Sequence, residues 1–162
     1  MLRDRFLANR CCMCCCNAES VNHLLLFCLI AHFLWMYMLR LFGIGWVMPS
    51  SVVDLLFCWY HWLGKHSFDI WNLVPGCLMW IIWTEWNRRS FEDEGKTVIQ
   101  LLELCQRTLF DWSRCWGFSD YSTLTDFLSS IRIAERLLVS FCSLFSFVHY
   151  RGLFVFFLLL FY

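Results

Sequence analysis

Long apolar runs separated by short polar breaks give the chain a helical pattern. The first run, Ser20 to Leu39, is uncharged and ends at Arg40 and Gly43. A basic residue and a glycine after such a run predict a helix with a glycine stop. A Pro-Ser-Ser tripeptide precedes the second run, Val52 to Leu63, and Gly64 closes it. Proline before a helix and glycine after it are the usual asymmetry, so this run predicts a second helix.

Two further helices are predicted in the second half of the chain. The third begins at about Pro75 and reaches Arg89, with Trp80 and Trp83 on one face, a spacing that predicts core positions. After a polar break, the fourth helix runs from Thr97 to Trp116. Its predicted buried stripe comprises Leu101, Leu104, Cys105, Thr108, Leu109 and Trp112.

The remaining sequence is a polar connection followed by an apolar end. Residues 117–130 are rich in Ser, Thr and Asp and carry one short helical turn, and residues 131–162 become almost pure Leu and Phe. No internal repeat and no alternating strand pattern interrupts this sequence. The predicted fold class is therefore mostly α.

Composition narrows the class of protein. Of 162 residues, 60% are hydrophobic and 16% charged, against about 45–50% and about 25% in ordinary soluble domains. Thirteen basic residues balance thirteen acidic ones, so no net field favours nucleic acid or an anionic membrane. The many aromatic residues exclude disorder. A very apolar domain, a membrane protein or a fragment of a larger protein remains.

Cysteine usage favours an intracellular location, in the nucleus or cytoplasm. The chain has eleven cysteines, an odd number, and its charged start lacks the apolar segment of a signal peptide. A reducing compartment fits this pattern better than a secreted disulfide framework. Isolated cysteines are then expected to be small core residues, and they are Cys58, Cys77, Cys105, Cys115 and Cys142.

The remaining cysteines form a constellation with metal chemistry. Cys11 and Cys14 make a C-x-x-C pair, His23 follows nine positions after Cys14, and Cys28 five positions after His23. Thiolate and imidazole suit tetrahedral zinc, with two ligands from a tight knuckle and two from the start of a helix. Five residues of a straight helix turn about 140° beyond one full turn. The helix must therefore begin loosely around His23, or Cys28 must reach back.

Other interpretations of the cluster stay open. Cys12 and Cys15 make a second C-x-x-C in a shifted register, and a chance cysteine-rich stretch beside a helical His23 would bind nothing. A redox or metal-buffering module would require a βαβ pattern, which is missing. If four protein ligands do bind zinc, no position is left for water, and the site is structural.

At these residues the chain resembles the zinc-binding domain at the C-terminal end of plant LINE-type (non-LTR) retrotransposon reverse transcriptases. Two later blocks, Phe42 to Leu56 and Trp71 to Asp93, follow in the family's order, so that the resemblance covers roughly residues 5–116. The chain departs from plant copies at Trp86, where they tend to have Arg, and at Phe27, where they often have His. The matching positions of the finger are Cys11, Cys14, Glu19, Ser20, His23, Leu24, Cys28 and Trp35.

The resemblance implies a retroelement fragment that binds structural zinc and grips RNA or DNA weakly beside the remainder of a reverse transcriptase. Paired aspartates for a polymerase are missing, so no catalytic residue and no enzyme activity are expected. His61 and His66 are interpreted as surface or capping residues. The arginines available for phosphate contacts are Arg3, Arg5, Arg10 and Arg40.

The predicted organisation is a small zinc knuckle followed by a short helical bundle, with an apolar C-terminal segment. The units are a zinc-binding knuckle with the first helix (1–46), a helical region (47–116), a linker (117–136) and an apolar tail (137–162).

A membrane-associated protein anchored by apolar helices is the alternative function. Ser20 to Leu39 is long enough to span a bilayer, but Asn22, His23 and His32 argue against lipid on every side. The tail makes a marginal span because Arg151 divides it. It is the candidate membrane contact.

Overall fold

The computed structural model describes residues 10–59 and 69–131 of the chain. Several predictions lie outside these residues: they concern Arg3, Arg5, His61, the end of the second helix at Leu63 and Gly64, His66, Cys142 and the apolar tail.

Helices make up the described fold, and the mostly α prediction is confirmed. Its α-helices are α1 (Leu29–Leu41), α2 (Val52–Cys58), α3 (Asp69–Asn87) and α4 (Val98–Cys115). Wide π-helical turns lie at His23–Phe27 and Arg88–Glu92, and a further helical segment spans 124–131. Within the described ranges there is no strand, only a single antiparallel bridge between Arg10 and Ala18. A small Cys/His knuckle therefore precedes a helical bundle.

Polar caps and glycines set the helix ends, as the sequence indicates. The hydroxyl of Ser51 accepts a hydrogen bond from the Asp54 N–H at the start of α2, and Thr97 caps α4 in the same way. Gly43 ends α1 with a φ of 66°, and Gly117 ends α4 with a φ of 71°. Glycine adopts this left-handed conformation without the penalty that a Cβ brings.

The first apolar run is not one continuous helix, so the predicted element from Ser20 to Leu39 is only partly correct. The wide turn ends at Cys28, whose ψ of 135° is extended, and α1 begins one residue later. Among the described residues, no helix is both long enough and apolar enough to cross a bilayer.

The start of α3 was predicted six residues too late, at Pro75 rather than Asp69. Proline is usual in the first turn, where its missing N–H costs nothing. Here Pro75 lies inside the helix, where it cannot donate to the carbonyl four residues before it. Its side chain is buried, so packing outweighs the local preference.

The core lies between α1, α3 and α4, with α3 packed mainly against α4. Burial of the predicted α4 stripe is confirmed for Leu101, Cys105 and Leu109, whereas Leu104, Thr108 and Trp112 are only half-buried. The segment predicted as a linker contains the expected helical turn, and its Phe127 packs against Phe110 with ring centroids 5.3 Å apart.

Three predictions of core residues need correction or qualification. Trp80 is 39% exposed, and its ring lies against that of the half-buried Trp83, with the ring centroids 5.5 Å apart. Cys77 and Cys105 are buried as predicted, but Cys58 is only half-buried. Cys115 is exposed because it ends α4 beyond the buried stripe.

Candidate metal centre

Four side chains from two separate stretches converge beside the start of α1. They are the predicted ligands Cys11, Cys14, His23 and Cys28, and their sulfur and nitrogen atoms all lie within 4.8 Å of one another. Cys11 and Cys28 are fully buried, His23 is nearly so, and Cys14 is half-buried. The group can hold a metal ion in a position shielded from solvent.

A tight backbone knuckle positions the first pair. The N–H of Cys11 donates to the Asn17 carbonyl over 2.8 Å, which closes the loop beside the bridge between Arg10 and Ala18. Inside the loop, the Cys15 N–H donates to the Cys11 carbonyl over 2.8 Å. Cys15 has a φ of 57°, a left-handed conformation that lets the chain reverse directly after Cys14.

The wide turn positions the second pair. Cys28 donates its N–H to the carbonyl of His23 over 2.6 Å, so five residues complete this turn instead of the usual four. Ser20 holds the start of the turn, because its hydroxyl accepts the His23 N–H over 3.1 Å. The predicted loose beginning of the helix is confirmed, and it is what places both side chains toward one point.

Distances within the cluster fit a tetrahedral metal. The Cys11 and Cys28 sulfurs are 3.9 Å apart, and the Cys14 sulfur lies 3.3 Å from Nε2 of His23. Zinc bonds of normal length imply separations of about 3.8 Å for two sulfurs and about 3.6 Å for sulfur and nitrogen. Little movement is needed for all of these atoms to reach one ion.

The thiols of the cluster differ in how readily they lose a proton. Burial raises the pKa of Cys11 to about 12 and also raises that of Cys28. Partial burial acts to raise the pKa of Cys14 too, but the N–H groups of Cys16 and Asn17 and the His23 ring outweigh it and lower that pKa to about 6. Of these three thiols, Cys14 is therefore the one that is most readily present as a thiolate for binding a cation.

The rival pair points elsewhere. The Cys12 sulfur lies 3.4 Å from the Ser90 hydroxyl and 3.9 Å from the Trp86 carbonyl, at the end of α3. Cys15 is exposed, as is Cys16, whose thiol donates to the Cys14 carbonyl over 3.0 Å. The structure therefore groups Cys14, rather than Cys15, with His23.

A partly buried ion pair beside the knuckle is missing from the sequence predictions. Nε of Arg89 donates to Oε1 of Glu85 over 2.7 Å, and Nη1 of Arg89 donates to the carbonyl of Met13, inside the C-x-x-C loop, over 3.1 Å. Glu85 is only 2% exposed. The sequence contained a signal for this pair, since an acid and a base four residues apart interrupt an otherwise apolar helix.

Of the arginines predicted to contact nucleic acid, Arg10 and Arg40 are described. Both are exposed, Arg10 at the start of the knuckle and Arg40 in the last turn of α1. Their side chains are accessible to a phosphate.

Comparison of the chain with protein-family models, with curated proteins and with solved structures finds no match. The resemblance to the reverse transcriptase zinc-binding domain therefore stays a prediction from the sequence.

Proposed function

We propose that the chain is a structural zinc-binding module of the kind found at the C-terminal end of plant LINE-type reverse transcriptases, without catalysis of its own. The observation that carries this proposal is the convergence of three thiols and one imidazole within 4.8 Å. Three sulfurs and one nitrogen are a usual ligand set of structural zinc. Four protein ligands leave no coordination position for a substrate or a reactive water.

The role of zinc is to hold the knuckle against the helices. Cys11 and Cys14 belong to the loop, whereas His23 and Cys28 belong to the turn that leads into α1. One ion bound by all four joins these stretches, as a disulfide would in an oxidising compartment. Binding energy of this kind contributes directly to folding.

Contact with RNA or DNA is weak in this proposal, and the remainder of a reverse transcriptase is the expected protein partner. The whole chain has no net charge, and affinity for a nucleic acid grows with the number of phosphates that are neutralised. Exposed Arg10 and Arg40 add only a few contacts. A nanomolar shift of labelled RNA by the purified chain at physiological salt would overturn the weak-binding part.

Zinc stoichiometry of the purified full chain tests the metal assignment. We expect one zinc per chain, lost in both His23→Ala and Cys28→Ala because each removes a ligand. Cys12→Ala and Cys15→Ala are the matched controls, and both should keep the metal because their thiols point away from the cluster. Zinc lost from Cys15→Ala but retained in His23→Ala would contradict the ligand set.

A further inference from the structure

The guanidinium of Arg89 is the hub of a hydrogen-bond network that joins three parts of the fold. Besides its bonds to Glu85 and to the Met13 carbonyl, its Nη2 donates to the Lys96 carbonyl over 2.8 Å. Lys96 in turn donates its N–H to Oε1 of Glu85 over 2.7 Å. One side chain thus connects the metal loop, the end of α3 and the segment that leads into α4.

The loop residue that Arg89 contacts, Met13, lies between the two ligands Cys11 and Cys14. Met13 lies directly before Cys14, and its side chain is also buried. A fixed Met13 carbonyl fixes the peptide that leads into Cys14, and so the direction of that ligand. Neighbouring Cys12 contacts the same end of α3 through its thiol, so both residues between the ligands are held from one side.

Burying the Glu85 carboxylate of this network costs folding free energy, which indicates that the network has a specific role. Oε2 of Glu85 is buried and has no hydrogen-bond partner in the described part of the chain. A buried carboxylate needs a partner of opposite charge, and Arg89 is the ion-pair partner that the structure gives it. A Cβ on Gly95 would lie 3.1 Å from Nε of Arg89, so the absence of a side chain there leaves room for the guanidinium.

We infer that Arg89 is a positioning residue for the metal centre, which holds the Cys11–Cys14 loop in its metal-binding conformation through the Met13 carbonyl. This inference rests on the proposed zinc site. Groups that orient metal ligands without binding the metal typically change its affinity by about 10–100-fold. Arg89 acts in this way through the backbone, while Glu85 and Gly95 keep its guanidinium in place.

The test measures the rate at which zinc-loaded full chain releases its metal to a chromogenic chelator. Arg89→Met should release zinc about 10–100-fold faster. Arg89→Lys keeps a positive charge for Glu85, but it lacks the planar guanidinium that donates to the carbonyls of Met13 and Lys96 together. It should therefore restore stability while zinc release remains fast. Gly95→Ala, which displaces the guanidinium and leaves every charge in place, should give a smaller acceleration.

Matched controls separate positioning from a general loss of charge or stability. Arg88→Met removes the neighbouring arginine, whose ion pairs in the described part of the chain are with Glu94 at 2.8 Å and Glu92 at 3.7 Å rather than with the loop. Gly45→Ala places a methyl group where no atom lies within 4 Å. Both should release zinc at the wild-type rate. The cobalt-substituted spectrum should stay unchanged in every variant, because the ligands are the same.

Two results would overturn the inference. Arg89→Lys and Gly95→Ala releasing zinc at the wild-type rate would limit Arg89 to pairing with Glu85. Equal acceleration in Arg88→Met would show an effect of charge alone. A wild-type chain that takes up no zinc is a separate outcome, which overturns the proposed function and this inference with it.

Discussion

The metal knuckle and the α3–α4 pair achieve order in different ways. In the helix pair, apolar side chains such as Leu78, Ile82 and Leu109 are fully buried. In the loop around Cys11 and Cys14, Cys11 and Met13 are buried, whereas residues 15–18 are exposed and Cys15 is left-handed. The proposed zinc adds a cross-link between this loop and the turn that leads into α1. Apolar packing therefore stabilises the helix pair, and the knuckle depends on the proposed metal as well.

Removing the metal should have the largest effect, and it should be local. Structural zinc in small finger peptides contributes about 10–16 kcal/mol at neutral pH. With a chelator present, we expect amides of residues 11–28 to lose protection from hydrogen exchange, while those of α3 and α4 retain it. Exchange measured by mass spectrometry checks this, with zinc-free His23→Ala as a second route to the same state. Equal loss of protection in α4 would show that the helix pair also depends on the metal.

A truncation in the helical core should lower the free energy of unfolding without releasing the metal. Leu109→Ala removes a fully buried side chain of α4, and such truncations cost about 2–5 kcal/mol. Urea unfolding of the zinc-loaded chain measures the loss. Ile99→Ala is the control on the same helix, where the side chain is 69% exposed and the expected change is within about 0.5 kcal/mol. If Leu109→Ala lost its zinc, as Cys28→Ala is expected to, the two regions would be one unit.

Zinc affinity should rise with pH. The pKa is raised for Cys11 and Cys28 and lowered to about 6 for Cys14. Between that value and the ordinary thiol pKa of 9.0, zinc must expel the protons of Cys11 and Cys28. Two protons released correspond to about a 100-fold gain in affinity per pH unit. Metal competition titrations over this range check the slope, and Cys16→Ala should share it. A flat profile would contradict binding by these thiols.

The smallest predicted effect concerns the conformation of Cys15. A left-handed residue with a Cβ costs about 1–2 kcal/mol, which glycine avoids. Cys15→Gly should therefore stabilise the zinc-loaded chain by about 1 kcal/mol, because the exposed thiol loses no packing. Thermal unfolding measures the gain. Cys16→Gly is the control and should give none, since Cys16 has no positive φ. An equal effect of both variants would exclude relief of strain.

Local sequence signals predicted much of this fold. Gly43 and Gly117 end helices because they adopt positive φ, and the spacing of Cys11, Cys14, His23 and Cys28 indicated the metal cluster directly. The choice between Cys14 and Cys15 could not be made from spacing. It depends on the backbone reversal at Cys15, which turns that thiol outward.

Tertiary contacts account for what the sequence did not predict. The early start of α3 depends on burial of Pro75, which no local preference indicates. The contact between Arg89 and the Met13 carbonyl joins residues 76 positions apart. A helical pattern predicts the pairing of Arg89 with Glu85. It does not predict that a carbonyl of a distant loop accepts a hydrogen bond from the same guanidinium.

X-ray absorption at the zinc edge of the loaded full chain is the most direct test of the four-ligand site. The account predicts three sulfurs at about 2.3 Å and one nitrogen at about 2.0–2.1 Å around a single zinc. We also predict that His23→Ala, which lacks the nitrogen ligand, loses the metal. A shell of four sulfurs, or one made mainly of light atoms, would contradict a site built from Cys11, Cys14, His23 and Cys28.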